Sequence, residues 1–140
     1  MARPFFELDL LVPGSPEEVW TRLWDLDRHT RAVPLTAVQG PPPRPGSTFV
    51  ARTAVGPVGF DDVMEVREWD PPHRAVVVKV GRVVRGRIEA RLTPDGAGRT
   101  RVRWRQEVGA AGVPRPLARL AVPAVAAGYR RSLRRILEVP

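Results

Sequence analysis

The chain contains no cysteine, only two histidines, one tyrosine, and a single lysine among 23 basic residues. Without cysteine it has no disulfide, no catalytic thiolate and no thiolate metal site. A zinc site needs three or four ligands, and the only imidazoles, His29 and His73, are far apart in sequence. We therefore expect no metal, and no motif in the sequence calls for a cofactor.

Long apolar runs are also missing. No segment reaches the roughly 18 apolar residues that a membrane span needs, and the N-terminus has no basic segment followed by an apolar stretch. We therefore expect a cytoplasmic protein without a transmembrane segment. At 140 residues the chain is most simply one domain over 1–140, large enough to bury about two-thirds of its unfolded surface.

The N-terminal part predicts a strand followed by two short helices. Apolar residues alternate over residues 6–12, which is typical of a half-buried strand. Ser15 fits a helix N-cap, Pro16 the first helical position, and Glu18 the reciprocal capping partner. A second short helix is expected to begin at a cap on Asp27 and to end before Pro34.

About five strand-like segments follow between residues 47 and 108. The last two, around 85–92 and 101–108, show the cleanest alternation, which predicts their core-facing side chains. These are Gly86, Ile88, Ala90, Leu92, Val102, Trp104, Gln106 and Val108. The chain closes with an Arg-rich helical pattern in which Pro123 predicts a kink or break, since proline costs about 3 kcal/mol inside a helix.

Three segments carry a recognisable pattern: 12–20 (VPGSPEEVW), 66–74 (VREWDPPHR) and the closing stretch 117–138. Together they resemble the SRPBCC superfamily of START-like or Bet v 1-like proteins, and within it the polyketide cyclase/dehydrase-like group. The resemblance implies an α+β helix-grip fold, in which a curved seven-stranded antiparallel sheet wraps a long C-terminal helix, with two short helices after strand 1. It also implies a hydrophobic cavity, and members include lipid and hormone carriers and aromatic-polyketide cyclases.

Polar side chains that face such a cavity would orient a ligand, because apolar pockets gain specificity from a few placed polar groups. Strand parity selects Asp62, Gln106 and Thr53. The alternatives are that Gln106 bonds a neighbouring backbone group and that Asp62 lies in water at a strand end. Tyr129 on the closing helix is a candidate donor near the ligand, or else it packs in the core with its hydroxyl at the rim. His29 is a candidate base, although a surface histidine is the simpler interpretation.

Large apolar side chains at sheet-facing positions are candidates for the cavity wall, or else belong to the plain core. They are Phe49, Phe60, Met64 and Trp104. The closing helix carries small residues that either permit tight packing on the sheet or leave space for a ligand. They are Ala118, Ala121, Ala124, Ala127 and Gly128. Because native interiors contain few large voids, we favour a ligand there and include Ala124 in its predicted site.

An arginine stripe lies on the opposite face of the last two strands: Arg85, Arg87, Arg91, Arg101, Arg103 and Arg105. Glu7 and Asp9 share that outward face on the first strand, so cross-strand ion pairs with Arg103 or Arg105 are expected. The excess positive charge is most simply a solvated basic face; the alternative is that it binds phosphate or anionic lipid headgroups. Nucleic acid is an unlikely partner, because no aromatic residues alternate with the arginines as stacking would require.

Three functions are consistent with these features. The first is binding of a hydrophobic small molecule, lipid or polyketide-like, between the sheet and the closing helix. The second is an aromatic polyketide cyclase or dehydratase that uses Tyr129, Gln106, Asp62 or His29. The third is a peripheral module that binds anionic surfaces through the arginine stripe. Two polar side chains converging inside the cavity would favour the enzyme. The sequence leaves the ligand and the oligomeric state open.

Overall fold

A computed structural model describes residues 3–138; residues 1–2 and 139–140 of the predicted 1–140 domain lie outside the described part. The strands are β1 (Phe5–Pro13), β2 (Thr36–Gln39), β3 (Thr48–Val55), β4 (Val58–Asp70), β5 (Arg74–Lys79), β6 (Val84–Pro94), β7 (Arg99–Glu107) and β8 (Gly109–Ala110). The helices are α1 (Pro16–Leu23), α2 (Leu26–Ala32) and α3 (Arg115–Ile136).

Seven strands form one curled antiparallel sheet in the order β1-β7-β6-β5-β4-β3-β2. The two-residue β8 lies off this path and pairs with β6. With α1 and α2 after the first strand and the long α3 at the end, the predicted helix-grip architecture is confirmed. The first strand pairs with β7 over its whole length, from Phe5 opposite Glu107 to Pro13 opposite Arg99.

Alternation along the strands separates a concave apolar face from a charged outer face. In β1 the even-numbered residues are buried and the odd-numbered ones are exposed. The predicted inward faces of β6 and β7 are confirmed, since Ile88, Ala90, Leu92, Val102, Trp104 and Gln106 are all buried. The concave face therefore carries the core, as period-two alternation requires for a sheet with one face in water.

Two local irregularities help the sheet to curl. In β4 the pairing with β5 shifts between Val66 and Glu68, so that Arg67 is an extra, bulged residue. Gly86 lies where β6 passes from β8 to β7, with a φ of +144°. A Cβ at this position would lie 2.7 Å from the carbonyl oxygen of Glu107, so the close approach requires glycine.

Three details differ from the sequence predictions. The cap of α2 is Asp25, not Asp27, because the Asp25 carboxylate accepts from the amides of residues 27 and 28. Strand β2 was not predicted, since four residues between two proline-containing loops are too few to show alternation. Helix α3 runs through Pro123 as one continuous helix, so the predicted break is absent there.

Helix α3 is anchored mainly by its C-terminal half. Leu133 and Ile136 are buried there, and Leu137 caps the helix in the core. Arg28 of α2 donates from Nη1 to the carbonyl oxygens of Ile136 at 2.8 Å and Glu138 at 3.0 Å. In the N-terminal half only Ala118 is buried. This half therefore spans the concave sheet without filling the space beneath it.

Candidate functional site

A cavity of about 840 Å³ lies between α3 and the concave face of the sheet. Its wall is mostly apolar, and it contains nearly all the residues that the sequence selected. Those on the wall are His29, Phe49, Thr53, Phe60, Asp62, Met64, Trp104, Gln106 and Tyr129. The sheet and α3 thus do not meet flush, and the fold encloses space for a small molecule.

Ala124 is the exception among the predicted ligand-binding residues. It is exposed on α3 and is not on the cavity wall. The helix turns Ala121, Val125 and Gly128 toward the cavity instead. Each residue turns a helix by about 100°, so Ala124 points in a different direction from Ala121 and Val125, which line the wall.

The most distinctive group in the cavity is formed by Asp62 on β4, Lys79 on β5 and Tyr129 on α3. The Lys79 ammonium donates to Asp62 Oδ2 in a short ion pair. It also donates to the Tyr129 hydroxyl at 3.4 Å, with the ammonium 5.9 Å from the ring centroid. Asp62 is 8% exposed and Lys79 is 4% exposed. Three elements therefore bring a buried ion pair and a phenol to one point.

This group is charged but electrically balanced. Burial by itself would lower the pKa of Lys79, yet interaction with Tyr129 and with the Asp62 carboxylate raises the pKa above its ordinary value. Lys79 is therefore an ammonium ion at neutral pH, and it is not an amine nucleophile. The other carboxylate oxygen, Asp62 Oδ1, is buried without a hydrogen-bond partner among residues 3–138.

Aromatic rings surround the phenol of Tyr129. The ring centroid of Phe6 lies 5.7 Å from that of Tyr129, and that of Trp104 lies 6.3 Å away. Trp24 lies 6.2 Å from Trp104 in a stacked arrangement. These contacts restrict the Tyr129 ring, so its hydroxyl is held toward Lys79 and the cavity.

Gln106 and Asp62 depart from the simpler alternatives considered for them. Gln106 accepts a hydrogen bond from Trp104 Nε1 at 2.9 Å with its side-chain oxygen, rather than bonding a neighbouring backbone group. Asp62 lies within β4 and is buried, not in water at a strand end. Thr53 pairs with Thr36 through their hydroxyls at 2.8 Å, farther along the wall.

His29 is a partly buried residue of α2 on the cavity wall, so the surface-histidine interpretation is wrong for it. Its Nε2 lies 2.6 Å from the carbonyl oxygen of Leu23, which makes this nitrogen the donor in the neutral ring. Burial lowers the pKa of His29, against smaller opposing effects of Leu23 and Asp25. His73 lies in the turn before β5 and is not on the wall.

Lys79 is the functional candidate that the sequence analysis missed. It ends the short apolar run of β5, where an exposed lysine is the ordinary expectation. The alternation of side chains along β5 does indicate its position, because Lys79 lies on the same inward face as Ala75 and Val77, which are both buried. The only lysine of the chain, on the same face as two core residues, marks a buried charge.

The arginines of the outer face largely meet carboxylates. Arg105 bonds Glu7 at 2.9 Å, Arg101 bonds Asp9 at 2.9 Å, and Arg103 lies 3.9 Å from Asp9. The expected cross-strand pairs are thus present. They leave less unpaired positive charge for an anionic partner on this face, and the anionic-surface function gains no support from them.

Within residues 3–138, no helix is long and apolar enough to cross a membrane. In the same part of the chain, no three histidine, aspartate or glutamate side chains come together as metal ligands would.

Comparison with known proteins identifies relatives of the fold. Residues 6–139 match the profile of a family described as "Polyketide cyclase / dehydrase and lipid transport". A search of curated proteins found no match.

Solved structures with similar folds include the Zhui aromatase/cyclase from Streptomyces sp. R1128, at 16% identity and a TM-score of 0.77 over 97% of this chain and 92% of that chain. Another is a START superfamily protein from Mycobacterium smegmatis, at 10% identity and a TM-score of 0.73 over 92% and 93%. A third is Ara h 8.0201, at 9% identity and a TM-score of 0.70 over 97% and 96%. At these identities the likeness concerns the fold alone.

Proposed function

Since the chain belongs to the polyketide cyclase/dehydrase and lipid transport family, which implies a cavity for hydrophobic ligands, we propose that it binds a hydrophobic small molecule, lipid or polyketide-like, between α3 and the sheet. The observation that carries the proposal is the cavity of about 840 Å³. Ligand sites commonly measure about 300–1,000 Å³ and have mostly apolar walls.

The way α3 packs supports the same function. A close-packed interior would fill this space with side chains, because voids of such size are costly. Instead the N-terminal half of α3 presents small residues to the cavity, among them Ala118 and Ala121. Leu117, also on the wall, is 56% exposed at the same end of the helix. An apolar ligand would recover the contacts that these residues do not make with protein.

The experiment is native mass spectrometry of freshly purified protein, followed by thermal-shift screening with fatty acids, sterols and polycyclic aromatic compounds. Ala121→Trp fills the cavity from α3, and Ala124→Trp is its matched control on the exposed side of the same helix. We expect ligands to bind the original protein and the control but not Ala121→Trp. Equal binding by both variants, or no ligand in either measurement, would contradict a ligand within this cavity.

Catalysis is a second candidate function, favoured by the convergence of Asp62, Lys79 and Tyr129 in the cavity. In a dehydratase acting on a β-hydroxyketone, the Asp62 carboxylate would remove the proton next to the carbonyl. Lys79 and Tyr129 would stabilise the developing charge on the carbonyl oxygen. As the carbon–carbon double bond forms and the C–O bond breaks, Asp62 would return the proton to the departing hydroxyl, which leaves as water.

An apolar β-hydroxyketone tests this candidate, because loss of water forms a conjugated enone whose ultraviolet absorbance can be followed. We expect Asp62→Asn to lower turnover by about 10²-fold or more, which is typical for loss of a general base. Arg52→Met, which breaks an exposed ion pair away from the cavity wall, should leave turnover unchanged. Tight binding of the β-hydroxyketone without any turnover would refute catalysis and leave the binding function.

A further inference from the structure

The donors and acceptors around Lys79 specify the polar end of the ligand. We propose that Asp62, Lys79 and Tyr129 form a recognition site for a neutral hydroxyl group, phenolic or alcoholic, on an otherwise apolar ligand. This inference rests on the proposed binding function and makes its ligand class specific.

The hydrogen bonds within the site leave two donors without a partner. An ammonium ion has three N–H donors, and in the described part of the chain Lys79 uses one on Asp62 and one on Tyr129. The Tyr129 oxygen accepts from Lys79, so its own hydrogen remains to be donated. The site therefore holds two unused donors, the third ammonium hydrogen and the Tyr129 hydroxyl hydrogen.

The same hydrogen bonds leave one acceptor unused. Asp62 is a residue of the cavity wall, and its Oδ1 is buried and has no hydrogen-bond partner in the described part of the chain. A buried carboxylate oxygen without a donor costs free energy. A hydroxyl group can donate once and accept twice. A ligand hydroxyl therefore matches this site, because it can accept from the two unused donors and can donate to Asp62 Oδ1.

Charge gives the second argument. The Asp62 and Lys79 charges cancel, so the site presents no net charge to a ligand. A ligand carboxylate would bring a second negative charge beside Asp62 and could not donate to Oδ1. A ligand amine would meet Lys79 with a like charge. A neutral hydroxyl avoids both repulsions and leaves the ion pair intact.

Position gives the third argument. Asp62, Lys79 and Tyr129 come from β4, β5 and α3, so the site lies where the helix crosses the sheet. The Trp104 ring, 6.3 Å from the Tyr129 ring, and the stacked Trp24 continue the wall beside it. A ligand hydroxyl bound at Lys79 would thus place its attached apolar body against aromatic side chains.

Four naphthalene compounds of nearly equal size separate these requirements. Naphthalene has no polar group, 2-methoxynaphthalene only accepts, 2-naphthol donates and accepts, and 2-naphthoate carries a negative charge at pH 7. Binding is measured by calorimetry and by quenching of tryptophan fluorescence, since Trp24 and Trp104 line the cavity. We expect 2-naphthol to bind about tenfold or more tightly than 2-methoxynaphthalene, as for a hydrogen bond to a charged group.

Three variants test whether the tighter binding of 2-naphthol depends on Asp62, Lys79 and Tyr129. Tyr129→Phe keeps the ring and removes the hydroxyl, so the advantage of 2-naphthol should shrink severalfold. Replacing Asp62 by valine and Lys79 by methionine together should abolish the advantage while naphthalene still binds. Arg52→Met and Asp61→Val together, at an exposed ion pair that is not on the cavity wall, are the matched control and should leave the order of affinities unchanged.

The outcomes distinguish this inference from the function on which it rests. Equal affinity for 2-naphthol and 2-methoxynaphthalene, or tightest binding of 2-naphthoate, would overturn the hydroxyl site while the cavity function stands. An advantage of 2-naphthol that persists in the double variant would place its hydroxyl elsewhere and overturn the inference too. Failure of all four compounds to bind would overturn the hydroxyl site, and together with no ligand in native mass spectrometry or the thermal-shift screen it would overturn both.

Discussion

The buried ion pair leads to the prediction that single substitutions destabilise the protein strongly, whereas the double substitution changes its stability little. Lys79→Met removes the partner of a carboxylate that is 8% exposed, and Asp62→Val removes the partner of an ammonium that is 4% exposed. Each single change leaves an uncompensated charge in the interior. The double change removes both charges and leaves apolar side chains against an apolar wall.

The expected magnitudes follow from the burial of the pair. Breaking a buried ion pair from one side costs about 3–5 kcal/mol, whereas apolar replacement of both partners is commonly neutral or stabilising. The exposed pair between Arg52 and Asp61, 3.0 Å apart on neighbouring strands, gives a matched control. Arg52→Met should cost no more than about 1 kcal/mol, because both side chains are about half exposed.

Urea denaturation followed by tryptophan fluorescence measures these differences. With a slope of about 2 kcal/mol/M, a loss of about 3–5 kcal/mol lowers the midpoint by about 1.5–2.5 M. We expect this shift for Lys79→Met and Asp62→Val separately, and a midpoint within about 0.5 M of the original for the double variant. Unchanged slopes would show that the variants unfold from the same compact state.

A loss below about 1 kcal/mol in either single variant would refute this prediction, because the charge would then be solvated in the folded protein. The prediction also fails if the double variant loses the sum of the single losses, which would mean that the pair itself stabilises the fold. Confirmation would mean that Asp62 and Lys79 contribute little net stability. Their presence in an apolar cavity would then be explained by the ligand.

Three further outcomes are expected. Trp104→Ala should lower the free energy of unfolding by about 3–5 kcal/mol in the same urea assay, since the indole is buried in β7; a loss below about 1 kcal/mol would contradict its inward direction. Because burial lowers the pKa of His29, the unfolded chain binds the proton more readily, so stability should fall as pH drops from 7.5 through the ordinary pKa of 6.5. His29→Gln should lose much of that fall, and an identical pH profile would refute the assignment. Pro123→Ala restores a helix amide donor and should stabilise by up to about 3 kcal/mol, whereas a loss of stability would show that the proline ring itself packs favourably.

Much of the fold could be predicted from the sequence because its strands alternate and its first helix carries a strong cap. Ser15 accepts from the amide of Glu18 at 3.2 Å, as the capping pattern indicated. The inward faces of β6 and β7 followed from period two alone. Elements with weak local patterns were harder, and the four-residue β2 is held by its pairing with β3 rather than by its own sequence.

The candidate site could be predicted only in part, because it depends on contacts across the sheet. Parity placed Asp62 and Gln106 inward, but it does not show what each of them meets. Lys79 pairs with Asp62 across 17 residues of sequence, and Tyr129 is a further 50 residues from Lys79. The register between β4 and β5, which places Met64 opposite Lys79, brings these groups together. The sequence holds no local trace of that register.

The uneven anchoring of α3 bears on how a guest molecule enters and leaves. C-terminal to Pro123, the helix is held by the buried side chains of Leu133 and Ile136 and by the hydrogen bonds from Arg28. N-terminal to Pro123, Ala118 is the one buried residue of the helix. Because Pro123 has no N–H, the carbonyl oxygen of Arg119 also lacks the helical hydrogen bond that would join the two halves. We expect the helical turns before Pro123 to move away from the sheet as a unit, while the turns after Pro123 and the sheet stay in place. Exchange of a guest would then require no unfolding of the β scaffold.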